Sequence, residues 1–259
     1  DARIESDYIR FSAGLIYPFR QERDEEISFD IKLTTRESET CMLNECIRFS
    51  DGVRLDGKSA TTVLRFAQNY TRRSKRWVLA ARSTLNWGMD KLGATVNRDG
   101  SADSRFFSWI GQFQFAWRMS EIPGQIVARS NVQLANDKLL PLEQIAIGGP
   151  ESIRGYRANY QVADNGWDSS LEYHYPLIGN RMNKSNHQLD VIAFIDGGQA
   201  WDKNAGRGRM LSSAGIGFKW QYRAYHAQLF LAAPFNNSHN QLGDYLQDAG
   251  VSFRLTAEF

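Results

Sequence analysis

The chain has 259 residues, with 31 Lys and Arg against 29 Asp and Glu, a formal net charge of +2 and a mean hydropathy of −0.47. A near-neutral balance of charge excludes a broad basic field for nucleic acid. The lack of any stretch near the ~20 apolar residues of a spanning helix excludes a helical membrane protein.

Alternation of apolar and polar residues, the signature of strands, starts early and recurs to the end of the chain. It marks strands at 8–20 and 26–36, joined by the short turn "RQERDE". A long polar connection at 37–60 follows. It carries the two cysteines, Cys41 and Cys46, in "CMLNEC". They are close together and far from any His, so a small loop-closing disulfide is a simpler reading than a metal site. Strands at 61–72 and 77–88 are joined by the basic turn "RRSK", and a second long loop runs over 89–104. In "RFFSWIGQFQFAWRM", Phe107, Trp109, Phe113, Phe115 and Trp117 share one parity, and Ser108, Gln112, Gln114 and Arg118 the other. "GQIVARSNVQLAN" alternates in the same way after the turn "EIPG".

The segment 137–165 breaks the pattern with the glycine-rich stretch "GGPESIRGYRANY". Beyond it lie strands at 167–177, 187–200, 210–221 and 225–233, a long loop at 234–248, and the closing strand "GVSFRLTAEF". The total is about eleven strands of ~9–14 residues, longer than the ~5–6 of soluble sheets and suited to a tilted membrane crossing. Short turns alternate with long loops, which is the layout of an outer-membrane barrel with its long loops extracellular. A soluble β-sandwich accounts for the alternation but for neither the strand length nor the loop asymmetry. The predicted class is therefore all-β, a transmembrane antiparallel β-barrel over residues 1–259. Barrels with both ends in the periplasm have an even number of strands, so an odd count leads us to expect a barrel that is N-terminally incomplete here, or else one further short strand concealed around the cysteines.

The stretches "GGPESIRGYRANY", "DNGWDSSLEYHYPL", "FIDGGQAW", "AGIGFKW" and "LQDAGVSFRLTAEF", in order from Gly148 to Phe259, resemble the barrel of two-partner secretion transporters. These are the haemolysin secretion/activation family within the outer-membrane protein-assembly superfamily. The resemblance implies a barrel of about sixteen strands, of which these are about the C-terminal eleven, with periplasmic POTRA domains ahead of it. It implies that the loop 137–165 folds inward, carrying Gly148, Gly149, Arg154, Gly155 and Tyr156 to a wall segment made of Phe194, Asp196 and Gly198. It also implies a function: passage of a large unfolded adhesin- or haemolysin-like exoprotein from periplasm to cell surface. Outer-membrane lipid surrounds such a barrel, and the barrel-assembly machinery inserts it, reading a terminal aromatic such as Phe259. An insertase of the same superfamily and a passive porin are the alternatives.

The residues support the contact on their own terms. Leu189, Val191, Ala193 and Ile195 form a lipid-facing row, which turns Phe194 and Asp196 into the lumen. A carboxylate enclosed there needs a partner, and Arg154 on a glycine-flanked loop can supply a bidentate one. His174 and His226 face the lumen by the same parity and suit hydrogen-bonded lining better than catalysis. Trp77, Trp87, Trp109, Trp117 and Trp220 fit an aromatic girdle. Gly215 and Gly217 fit relief of crowding, since no helix follows to make a phosphate site. We expect no enzyme activity, no metal or cofactor, and no nucleic-acid partner; the turn "RRSKR" has no aromatics interleaved for one.

Overall fold

The computed structural model describes residues 4–42, 45–48, 50–179, 187–206, 208–236 and 249–258. The strands are β1 (Ile4–Gln21), β2 (Glu25–Met42), β3 (Glu45–Cys46), β4 (Lys58–Arg73), β5 (Trp77–Met89), β6 (Phe107–Arg118) and β7 (Gln125–Ala135). They continue with β8 (Ile145–Ile147), β9 (Gln161–Ala163), β10 (Asn165–Ile178), β11 (His187–Trp201), β12 (Leu211–Tyr222), β13 (Tyr225–Pro234) and β14 (Val251–Ala257). All but β3, β8 and β9 form one antiparallel meander in the order β1-β2-β4-β5-β6-β7-β10-β11-β12-β13-β14. Among the described residues, β1 and β14 are the two ends of this path, and the sheet is not closed.

Register gives the wall two chemically different faces. Stepping across paired residues, Leu15, Ile31, Phe66, Leu85, Trp109 and Leu134 lie side by side on one face. Further round, Ala128, Leu171, Ile195, Ala214 and Ala233 continue it. The other face carries Lys32, Arg65, Asn86 and Ser108, and then Arg129, Ser170, Asp196 and Ser213. An apolar outer face and a polar inner one is the arrangement hydrocarbon imposes on a barrel wall, where pairing between strands satisfies the backbone groups. The five girdle tryptophans lie on the outer face. His174 and His226 lie on the inner one, Gly215 pairs with Phe194, and Gly217 with Phe230. Both register shifts, at Pro18/Arg20 and Pro176/Ile178, begin at a proline close to a strand end.

The structure departs from the expected strand limits at several places, β1 for one beginning at Ile4 rather than near residue 8. β2 runs on to Met42 instead of ending near residue 36, so Cys41 lies in a strand rather than a loop. Glu37 and Glu39 break the hydrophobic alternation, yet Glu37 still pairs with Ala60, Ser38 with Ser59 and Glu39 with Lys58. Above the hydrocarbon both faces meet water, so the ladder outlasts the pattern. The segment 137–165, read as a loop, holds the two short strands β8 and β9, which pair with each other.

Cys41 and Cys46 face each other across β2 and β3 and are joined in a disulfide. Glu39 lies beside them, but bridged sulfurs offer no thiolate to a metal ion. Alkylation of unreduced protein is expected to modify neither cysteine. Replacing both by serine is expected to loosen this hairpin by about 2 kcal/mol or less, because the closed ring is small; earlier proteolysis within 43–57 is the readout. Phe259 lies outside the described residues.

The apolar interior is built by the loop, not by the wall alone. Ile147, Ile153 and Tyr156 of the loop pack with Ala163, Ala200 and Leu211, flanked by Ile145 and Tyr160. A second cluster joins Leu139 to Val63 and Phe106. Each large side chain withdrawn from water in this way contributes about 1.5–3 kcal/mol, which offsets the entropy of ordering a long loop inside a barrel.

Candidate functional site

The site lies where the loop meets β10, β11 and β12. Both ends of the loop are fixed first. Asp164 accepts hydrogen bonds from the Leu139 N–H (2.9 Å), Gln144 Nε2 (3.1 Å) and the Lys203 N–H (2.8 Å), gathering the loop's start and finish at one buried carboxylate. Gly148 and Gly149 take positive φ where the chain turns inward. At the tip, Gly155 has φ +89°, and a Cβ there would stand 3.3 Å from Ala232 and 3.4 Å from Pro234. A side chain would be strained and would also press on β13.

Arg154 is 3% exposed and Asp196 2%. The guanidinium holds the carboxylate at two points, Nε to Oδ2 at 2.7 Å and Nη2 to Oδ1 at 2.6 Å, and the Arg154 backbone N–H donates to Oδ2 at 3.0 Å. Nη2 also donates to Ser170 Oγ at 2.8 Å, and Nη1 pairs with Glu172 at 2.8 Å. The Arg154 Cζ lies 3.6 Å from the centre of the Phe194 ring and 4.9 Å from that of Phe230. The cation is therefore held between carboxylates and ring faces, the surroundings in which a buried guanidinium keeps its charge. Burial works against that charge, and the hydrogen bond and charge of Asp196, then Glu172, hold the Arg154 pKa above its ordinary value.

Glu172, on the inner face of β10, also meets Arg129 and the His174 Nε2, the latter at 2.7 Å. Two carboxylates thus balance two guanidinium groups. That balance leaves no buried charge without a counter-charge, whereas removing one member would strand its partner. Tyr156 donates from its hydroxyl to the Ser212 carbonyl at 3.0 Å and accepts from the Ser212 N–H at 3.3 Å. Gly198 lies beneath Ile153, next to the tip. Of the residues named from the sequence, Arg154, Gly155, Tyr156, Phe194, Asp196 and Gly198 meet here, while Gly148 and Gly149 stand behind the tip, against Tyr160 and Ala158. Sequence reasoning missed Glu172 and Ser170. Their signal was inward parity in "DSSLEY", but a Glu on a polar face is common and names no partner.

Tyr156→Phe is expected to weaken docking of the tip by about 1–2 kcal/mol, since it removes both neutral hydrogen bonds to the Ser212 backbone and leaves the ring in place. A small rise in protease access at the loop, with unchanged barrel assembly, is the expected result.

The sequence profile of the family described as "Haemolysin secretion/activation protein ShlB/FhaC/HecB" matches residues 5–220. The outer membrane transporter CdiB of Dickeya dadantii (strain 3937) is 27% identical over 134 residues, which are 46% of this chain and 21% of that protein. In fold the chain is similar to CdiB from Escherichia coli, with TM-score 0.81 and 17% identity over 98% of this chain and 45% of that one. It is similar to CdiB from Acinetobacter baumannii, with TM-score 0.74 and 17% identity over 98% and 42%. BamA from Haemophilus ducreyi lacking POTRA domains 1-3 shares the fold at TM-score 0.67 and 16% identity, over 98% and 54%. The chain therefore spans about a fifth of the curated relative and less than half of either solved CdiB.

Proposed function

The chain belongs to the haemolysin secretion/activation family of outer-membrane β-barrel proteins, and from that premise we propose that it forms the translocation pore of a two-partner secretion system. Its substrate is a large unfolded adhesin- or haemolysin-like exoprotein that moves from periplasm to cell surface, drawn forward by folding outside.

The observation that carries this reading is the loop held in the lumen by a side-chain cluster. Arg154, Asp196 and Glu172 fix the tip through contacts that can be broken and remade, with no covalent link to the wall. Such a pore stays closed to small solutes until the loop moves, whereas a passive porin needs an unobstructed lumen.

The test is to express the full-length protein in a Gram-negative host with a large exoprotein encoded beside its gene. Exoprotein at the cell surface should depend on the transporter, with uptake of small sugars unchanged. Rapid sugar diffusion without secretion would identify a porin, and a fall in other outer-membrane barrels on deletion would identify an insertase.

A further inference from the structure

The motif loop has a second, largely buried ion-pair cluster, which shares no side chain with the one at Asp196. Glu143 lies near the start of the loop, with a side chain 6% exposed. Arg65, from the inner face of β4, donates from Nη2 to both of its oxygens at 2.9 and 2.8 Å, and from Nη1 to Asn86 Oδ1 on β5 at 2.8 Å. Arg36 of β2 lies 3.6 Å from the same carboxylate and donates to the Leu142 carbonyl at 2.8 Å. Thr61 donates its hydroxyl to Glu143 at 3.2 Å, and Gln133 of β7 donates to the Glu143 carbonyl at 2.9 Å. One loop residue is thus held by β2, β4 and β7, while Arg154 is held by β10 and β11.

We propose that Glu143 is a positioning residue that fixes the base of the loop to the β2–β4 arc of the wall, so that the tip can leave Asp196 while the base stays docked. The two clusters share no side chain. Leu139 packs against Val63 and Phe106 at the base, and Ile153 packs against Ala200 and Leu211 at the tip, so each end has its own charge lock and its own apolar seat. Two locks turn the loop into a hinged plug. Releasing the tip lets the segment after Glu143 swing, and the retained base returns it to the same wall. This inference rests on the translocation reading for its consequence, though not for its geometry.

The experiment uses the full-length protein in outer membranes, with single reporters Leu139→Cys at the base and Ile153→Cys at the tip, labelled by a maleimide without reductant. In an Arg154→Ala background the tip reporter should label at least about tenfold faster and the base reporter should stay protected, as expected for sites that do not share contacts. In a Glu143→Gln background the pattern should reverse. Glu143→Asp, which keeps the charge, should restore part of the protection at the base. The proposal is overturned if Glu143→Gln leaves the base protected, or if either background exposes both reporters together. Arg65→Lys takes the place of Glu143→Gln if that variant does not assemble. Failure of both to assemble also overturns it, because Glu143 would then build the wall. Labelling needs no exoprotein, so a selective pattern alongside absent secretion by the parent protein would defeat the translocation reading and leave the two-lock loop standing.

Discussion

Arg154→Ala in the full-length transporter is expected to free the loop tip and to lower surface exoprotein by about tenfold or more, while most of the barrel still assembles. Removing the guanidinium leaves Asp196, 2% exposed and paired across the ladder with Ser170, with no cation. Breaking a buried pair in this way costs about 3–5 kcal/mol, well above what one exposed ion pair contributes. Asp196→Ala should cost less, because Arg154 keeps Glu172 at 2.8 Å and Ser170 at 2.8 Å. The double variant should be little worse than Arg154→Ala, giving a coupling of about 0.5–3 kcal/mol between groups in direct contact. Heat-modifiable gel migration reports assembly, limited proteolysis reports the loop, and surface exoprotein reports transport. Additive losses in the cycle would mean that the two residues act separately and that their contact does not hold the plug.

The wall was legible in the sequence because hydrocarbon enforces a strong rule. Most outward positions are apolar, with exceptions such as Ser83 and Ser130 hydrogen-bonded to Trp109 and Ser169, so Phe107, Trp109, Phe113, Phe115 and Trp117 declare a face without help from their neighbours in space. The inner face obeys a looser rule. Water, ions and other side chains all satisfy a lumen residue, so the parity of Glu172 or Arg65 says where each points and not what it meets. Arg154 and Asp196 are paired from the sequence through a resemblance of motifs. Glu143 lay in "PLEQI", with neither a motif nor a period to mark it, and its partners Arg36 and Arg65 are far away in sequence. The limits of β2 were obscured for another reason. Above the membrane the pairing of Glu39 with Lys58 continues the ladder, although the hydrophobic pattern that reveals strands has ended.

Gly198→Ala is expected to displace the tip without removing any charge, which separates packing from electrostatics at this site. A Cβ on Gly198 would stand 2.7 Å from Ile153 Cδ1 and 2.5 Å from the Trp167 carbonyl oxygen. Ile153 is fully buried next to Arg154, so pressure on it is pressure on the ion pair. Overpacking of this kind costs about 1–3 kcal/mol. Because the strand is better held than the loop, the loop should give way. Faster cleavage at the loop and a several-fold loss of surface exoprotein are the expected results, with Arg154, Asp196 and Glu172 all still present. The double variant Gly198→Ala with Ile153→Ala removes the loop's side of the clash and should recover part of the protection, although the Trp167 carbonyl remains in place. If Ile153→Ala gave no recovery, the collision would lie within the wall between β10 and β11. Gly198 would then serve strand pairing, and the seat of the plug would depend on its charges alone.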